Sequence, residues 1–230
     1  METLTFNGVS FRDFKTFYDG AQLYQTPEKD VTFYSVVGRN GDLAVSNDRY
    51  KNKDIPIDCF IRDHFKENFT ALIDFLYTQS DYGRLETTTE PDIFRMAQFV
   101  SAIEPETGSF LKSGKFTLTF NFKPQKYLKS GEIAISVSST KKIVNPTSQI
   151  ALPLIKVSGT GTITINSSVL TLATNTSTTV IDCELQDAYE GTINRNPDLT
   201  ITNGFPVLTK ENTITVSGCT IEIIPRWWRI

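Results

Sequence analysis

The 230-residue chain holds a single histidine, His64. A Ser-His-Asp or Cys-His mechanism would have to run through it, because the imidazole is what relays the proton in both. No Gly-x-Ser-x-Gly elbow presents a nucleophile, and the count rules out a histidine-built metal site. Carboxylates are better supplied: Glu104 and Glu106 flank Pro105, and Glu86, Glu90 and Asp92 share a threonine-rich stretch. A glycosidase needs two such groups across a cleft, with aromatic platforms for the sugar. Here both tryptophans, Trp227 and Trp228, are adjacent at the far end of the sequence. Gly159-Thr160-Gly161 lacks the lysine and the following helix of a phosphate loop, and reads as a turn. The cysteines, Cys59, Cys183 and Cys219, are widely spaced and odd in number, which fits reduced core thiols rather than a disulfide framework or a zinc site. We therefore expect a structural protein, not an enzyme, with no cofactor and no metal.

The elements that would carry these residues are mostly strands. Apolar residues make up 39% and charged residues 21%, enough for a packed core and unlike a disordered chain. Leu4 and Phe6 alternate up to Asn7-Gly8, a hairpin turn signal, and Val9 and Phe11 resume after it. Ile55, Ile57, Cys59 and Ile61 share one strand face, as do Phe116, Leu118, Phe120 and Phe122. One stretch has a helical period instead: Phe65, Phe69, Leu72, Ile73 and Leu76. Asp63 is the expected N-cap and Gly83 the expected left-handed stop of that helix, over about residues 64–79.

The stretch 125–131, after Lys123-Pro124, mixes Gly and lysines between two strand patterns and is read as a linker. It divides a first domain, 1–124, from a second, 132–230. In the second, Thr162-Ile163-Thr164-Ile165 and Val169-Leu170-Thr171-Leu172 form a hairpin around Asn166-Ser167-Ser168. Residues 157–181 carry no charge, which suits either an inner sheet or a face covered by a partner. The expected fold class is mainly β, two antiparallel sandwich-type domains with one helix in the first.

A net charge near −3 argues against a general nucleic-acid binder. No apolar run approaches the ~20 residues that would cross a bilayer. The start of the chain lacks the charged and apolar segments of a signal peptide, so synthesis and folding in a cytosol are expected. Arg226-Trp227-Trp228-Arg229 admits three readings: an end strand with one ring buried and arginines stacked on the other, a docking element for a neighbouring subunit, or a membrane-interface anchor.

Several motifs in order carry a resemblance. Gly38-Arg39-Asn40-Gly41-Asp42-Leu43 follows an apolar strand and needs positive φ at its glycines. Asp182-Cys183-Glu184 and Ala188-Tyr189 lead to Phe205-Pro206, then to Glu211-Asn212-Thr213-Ile214, Gly218 and Pro225-Arg226-Trp227-Trp228. In order and spacing these resemble the distal tail proteins of long-tailed bacteriophages, over essentially the whole chain. The resemblance implies a tail-tip or baseplate hub in the virion: a first domain that forms a six-fold ring and a galectin-like second domain facing outward. It also implies contacts with the tail-tube protein, the tail-associated protein and receptor-binding proteins, and DNA passing through the ring without specific binding. A host-saccharide adhesion module is the alternative; the His-Asn-Pro-Arg stretch that true galectins use for sugar is not found in the second half. Glu86, Glu90, Lys126, Lys129, Trp228 and Arg229 are the expected interface residues. No membrane contact is expected.

Overall fold

The structure, a computed structural model, describes residues 2–18, 23–107, 112–174 and 177–230. The chain is mainly β, its strand pairings are antiparallel, and the described residues include one α-helix, Phe65–Tyr77. Contacts divide it into two compact units, Met1–Lys126 with Ile230, and Tyr127–Arg229.

In the first unit the sheet runs in the order Val9–Ser10, Leu4–Phe6, Gly83–Thr87, Ile93–Phe99, Gly114–Leu128, Lys53–Ile61, Thr16–Tyr18. Its two sides are drawn together where the Tyr18 N–H donates to the Glu2 carbonyl at 3.2 Å. Asn7 and Gly8 both take positive φ, 48° and 81°, the geometry of a two-residue turn that matches strand twist; Phe6 pairs with Val9 across it. The alternation read in the sequence is the inner face: Phe116 opposes Cys59, Leu118 opposes Ile57 and Phe120 opposes Ile55, all buried.

The helix covers that face. Phe65, Leu72 and Leu76 are buried, and Phe69 meets Phe116 edge-on with ring centroids 5.1 Å apart. Its ends differ from expectation. The N-cap is His64, in the left-handed region at φ 53°, with no side-chain cap, while the Asp63 carboxylate turns to His64 Nδ1 at 2.8 Å. The stop is made by Thr78, whose hydroxyl donates to the Phe75 carbonyl at 2.7 Å. Gly83 instead opens a strand, where an added Cβ would strike the Phe6 ring and the Asn7 side chain.

The second unit is organised around two long strands, Leu154–Ile165 and Glu211–Ile224, paired with each other. Glu211–Ile224 also takes Ile135–Val137 and Lys141–Val144; the other edge of Leu154–Ile165 takes Thr178–Asp182 and Ser168–Leu172. Gly159-Thr160-Gly161 is not a turn. It is a bulge within a strand, where the register slips opposite Gly218. Gly218 sits at φ 81°, and a Cβ there would come within 2.8 Å of the Thr160 carbonyl oxygen, so only glycine fits. The hairpin turn is shorter than read, Asn166-Ser167, since Ser168 already pairs with Ile165. Val157, Ile163, Ile165, Leu170, Leu172 and Ile181 are buried, so the uncharged run supplies interior strands. The stretch read as a linker continues the strand Gly114–Leu128 and enters a 3-10 turn, Lys129–Glu132.

Candidate assembly interface

The motif residues of the second unit converge on its interior. Asp182, 3% exposed, accepts both guanidinium nitrogens of Arg226 at 2.8 Å and the backbone N–H groups of Glu184 and Leu185 at 2.9 and 3.2 Å. Arg226 also reaches Glu184 at 3.3 Å, and adopts φ 56° to do so. Burial pushes the Asp182 carboxyl upward, but Arg226 and the two backbone donors outweigh it and hold it below its ordinary value. The neighbouring Cys183 thiol is pushed up to about 12, by burial and then by Asp182, and Tyr127 to about 12, by burial and then by Glu184. Neither is a nucleophile near neutral pH.

The clamp fixes the chain end that follows. The Arg226 N–H donates to the Gly131 carbonyl, and the Leu128 N–H donates to the Trp227 carbonyl, both at 2.8 Å. Pro225 and Trp227 are buried, and Trp228, half-buried, donates its indole N–H to the Ile150 carbonyl at 2.9 Å. Trp227 is a buried ring of the kind the end-strand reading of Arg226-Trp227-Trp228-Arg229 expects, and Trp228–Arg229 form a strand. Arg226, however, pairs with carboxylates and not with an aromatic face. Arg229 is exposed on the terminal strand Trp228–Arg229.

Asn212 forms a second lock. It is buried, accepts from the Thr209 N–H at 2.8 Å and from the Asn166 amide at 3.0 Å, and donates to the Thr209 carbonyl at 2.9 Å. Its neighbour Glu211 is exposed and opens the long strand opposite Val144. Pro206 is buried and Phe205 packs against the core from its edge. Tyr189, half-buried, pairs with Val180 and Asn194.

The charged residues expected at an interface are partly committed elsewhere. Glu86 receives the Arg84 guanidinium. Glu90 holds Arg95, which is buried and also donates to the Leu23 carbonyl at 2.9 Å. Both carboxylates thus carry ion pairs within the first unit. Lys126 and Lys129 are half-buried.

The exposed surface lies elsewhere, on an arm. Strands Lys29–Tyr34 and Leu43–Tyr50 form a separate two-stranded sheet, joined by the turn that contains Gly38 and Gly41, at φ 80° and 81°. Arg39 at its tip donates its N–H to the Val36 carbonyl at 3.1 Å. Phe33 opposes Ala44 on one face, and Thr32 opposes Val45 and Tyr34 opposes Leu43 on the other. Both faces are bare: Phe33 is 64% exposed, Tyr34 54%, Leu43 44%, and Val37 at the tip fully so. Ion pairing of Arg49 with Asp30 at 2.6 Å ties the base. The sequence marks the turn but not this exposure; the signal was the failure of alternation at Phe33-Tyr34 and Val36-Val37.

The first unit also has an open groove of about 1270 Å³ on the outer face of strands Lys53–Ile61 and Gly114–Leu128. Asp58, Phe60, Lys115 and Thr117 form its floor, and Glu104 and Glu106 lie at its rim. Glu104 and Glu106 are exposed, and Thr117 donates its hydroxyl to Asp58 at 2.7 Å. Among the described residues, no group of three or more His, Cys, Asp or Glu could hold a metal ion, and no helix is long and apolar enough to cross a membrane.

The fold has counterparts among solved structures. It is similar to the Dit protein (gp 19.1) of phage SPP1, described as a paradigm of the hub adsorption apparatus in phages infecting Gram-positive hosts. That match has a TM-score of 0.72 and 12% identity, and covers 97% of each chain. It is also similar to a chain of the phage P2 baseplate in its activated conformation with Ca, with a TM-score of 0.54, 11% identity and 97% coverage of each chain. No protein-family model and no curated protein sequence matches the chain. The fold is thus Dit-like over 97% of the chain.

Proposed function

We propose that the protein is the structural hub of a siphophage tail tip, a distal tail protein. In this reading six copies form a ring through their first units. The ring joins the tail-tube protein to the tail-associated and receptor-binding proteins and lets DNA pass. The second unit is a galectin-like module facing outward, in which the motif residues serve stability and not sugar recognition.

The observation that carries the reading is the end-to-end correspondence with a hub protein, with neither unit missing. The bare arm supports it. A two-stranded ribbon is marginal by itself in water, and one that exposes Phe33, Tyr34, Leu43 and Val45 is best explained by burial in an assembly. A net charge of −3 suits a conduit, which gains nothing from gripping phosphates.

Light scattering over a concentration series, with electron micrographs of the largest species, tests the proposal. A six-fold particle with a central hole is the expected result. A monomer at every concentration, joined to measurable saccharide affinity, would replace the hub with an adhesion module.

A further inference from the structure

We propose that Asn40-Gly41, in the turn at the tip of the arm, is a self-modification site, where the asparagine side chain deamidates and leaves a carboxylate in its place. Asparagine is among the chemically labile residues, and water is the only other reactant. The Gly41 backbone nitrogen attacks Asn40 Cγ, the new C–N bond displaces Nδ2, and ammonia leaves with the Gly41 proton. Water then opens the five-membered imide. Cleavage of the Cγ–N bond restores the ordinary chain with an aspartate. Cleavage at the backbone carbonyl gives an isoaspartate, in which the chain runs through the former side chain. Nothing is oxidised or reduced.

The sequence contains the same dipeptide at Asn7, Asn40 and Asn203, and the fold restrains two of the three. Asn7 donates Nδ2 to Gln79 Oε1 at 2.8 Å and accepts the Arg84 N–H at 2.9 Å, with its backbone left-handed at φ 48°. Asn203 donates Nδ2 to the Ser167 carbonyl at 2.8 Å and is left-handed at φ 63°. The imide closes only when the side-chain amide turns onto the following nitrogen, so both residues must first release these bonds. Asn40 is held by nothing. Neither its side chain nor the Gly41 N–H has a hydrogen-bond partner among the described residues, and both residues are exposed. The turn's own bond, from the Arg39 N–H to the Val36 carbonyl, closes before Asn40 is reached. Around Gly41 the space is open, with nothing within 4 Å of where a Cβ would stand. The product sets a carboxylate beside Arg39 and takes the net charge one unit below −3. Its isoaspartyl form also lengthens the connection between Lys29–Tyr34 and Leu43–Tyr50 by one backbone atom.

Ageing the folded full chain in warm, mildly alkaline heavy-oxygen water, followed by peptide mapping in a mass spectrometer, tests the site. Each conversion traps one heavy oxygen and is thereby dated to the incubation. The Asn40 peptide is expected to convert into two acidic isomers, on the order of tenfold faster than the Asn7 and Asn203 peptides, whose side chains must first break free. In concentrated urea the fold no longer selects, and the three are expected to draw level. Asn40→Gln, whose longer side chain disfavours the five-membered ring, is expected to lose the acidic species that isoelectric focusing separates from the aged parent, with thermal unfolding unchanged. Labelling of Asn40 no faster than of Asn7 and Asn203 in the folded chain overturns the proposal. So does a lead that persists undiminished in urea, and so does an acidic species that survives in Asn40→Gln. The inference is independent of the hub reading: a chain that stays monomeric leaves it standing, and its failure leaves the hub untouched.

Discussion

The arm of the first unit and the terminal clamp of the second are both marked by short sequence motifs, and they have opposite physical character. Around Asp182 and Arg226 each charge has its partner, donors and acceptors are matched, and the following Trp227 is buried. Around Gly38 and Gly41 large apolar side chains stand in solvent on both faces of a ribbon that has no core beneath it. A motif whose residues satisfy one another within a unit is explained by that unit's stability. A motif that holds apolar groups out in water gains nothing from its own unit's core, and the hub reading accounts for it by burial in an assembly. On the hub reading proposed above, the difference separates residues that make the protein fold from residues that would make it assemble.

Substitutions can break or sharpen this contrast, beginning with the clamp. Asp182→Ala leaves Arg226 partly uncompensated and should destabilise the second unit by about 3–5 kcal/mol, measured by calorimetry; a loss below about 1 kcal/mol would place the clamp with the dispensable surface pairs. Acid should reach the same interaction without mutation. The Asp182 carboxyl is held below its ordinary value in the folded state, so between the folded and unfolded pKa values the unfolded chain binds more protons. The clamp's contribution is therefore complete above the ordinary carboxylate range and is lost only as pH falls through the lower, folded value. An acid titration of unfolding in Asp182→Ala should lack that part of the loss.

Asn212→Ala should cost about 1–3 kcal/mol, because the Thr209 backbone and the Asn166 amide lose their partner. Urea unfolding would show it as a lower midpoint at constant slope. The smallest effect on the isolated chain is expected on the arm. Phe33→Ser and Tyr34→Ser should change stability by no more than about 0.5 kcal/mol, while sedimentation shows weakened self-association. Loss of folding in either would mean that the ribbon packs within its own unit, and the contrast would collapse.

Much of the fold is legible in the sequence because its causes are local. The 3.6-residue stripe from Phe65 to Leu76 and the alternation from Phe116 to Phe122 each follow from neighbouring residues, and so does the Asn7-Gly8 turn. What the sequence hides depends on how the backbone places side chains, in one case across a long stretch of chain. Gly159 to Gly161 resembles a turn until Gly218 is placed opposite, and only then does the bulge appear. Asp63 resembles a cap until its carboxylate turns to His64. Glu90 resembles an exposed acid until Arg95 is seen buried beside it. Exposure is the least local property of all, which is why the arm's bare faces emerge only from the structure.

The pairing of Leu128 with Trp227 and of Gly131 with Arg226 has a consequence for modular design. It brings the first and last residues of the second unit, Tyr127–Arg229, side by side. A body whose two ends meet occupies a single attachment point on whatever carries it. It can be exchanged as a cassette, or opened elsewhere and rejoined through that seam, without stretching its host. A chain built on this plan could therefore trade the second unit for another body without altering the fold of the first.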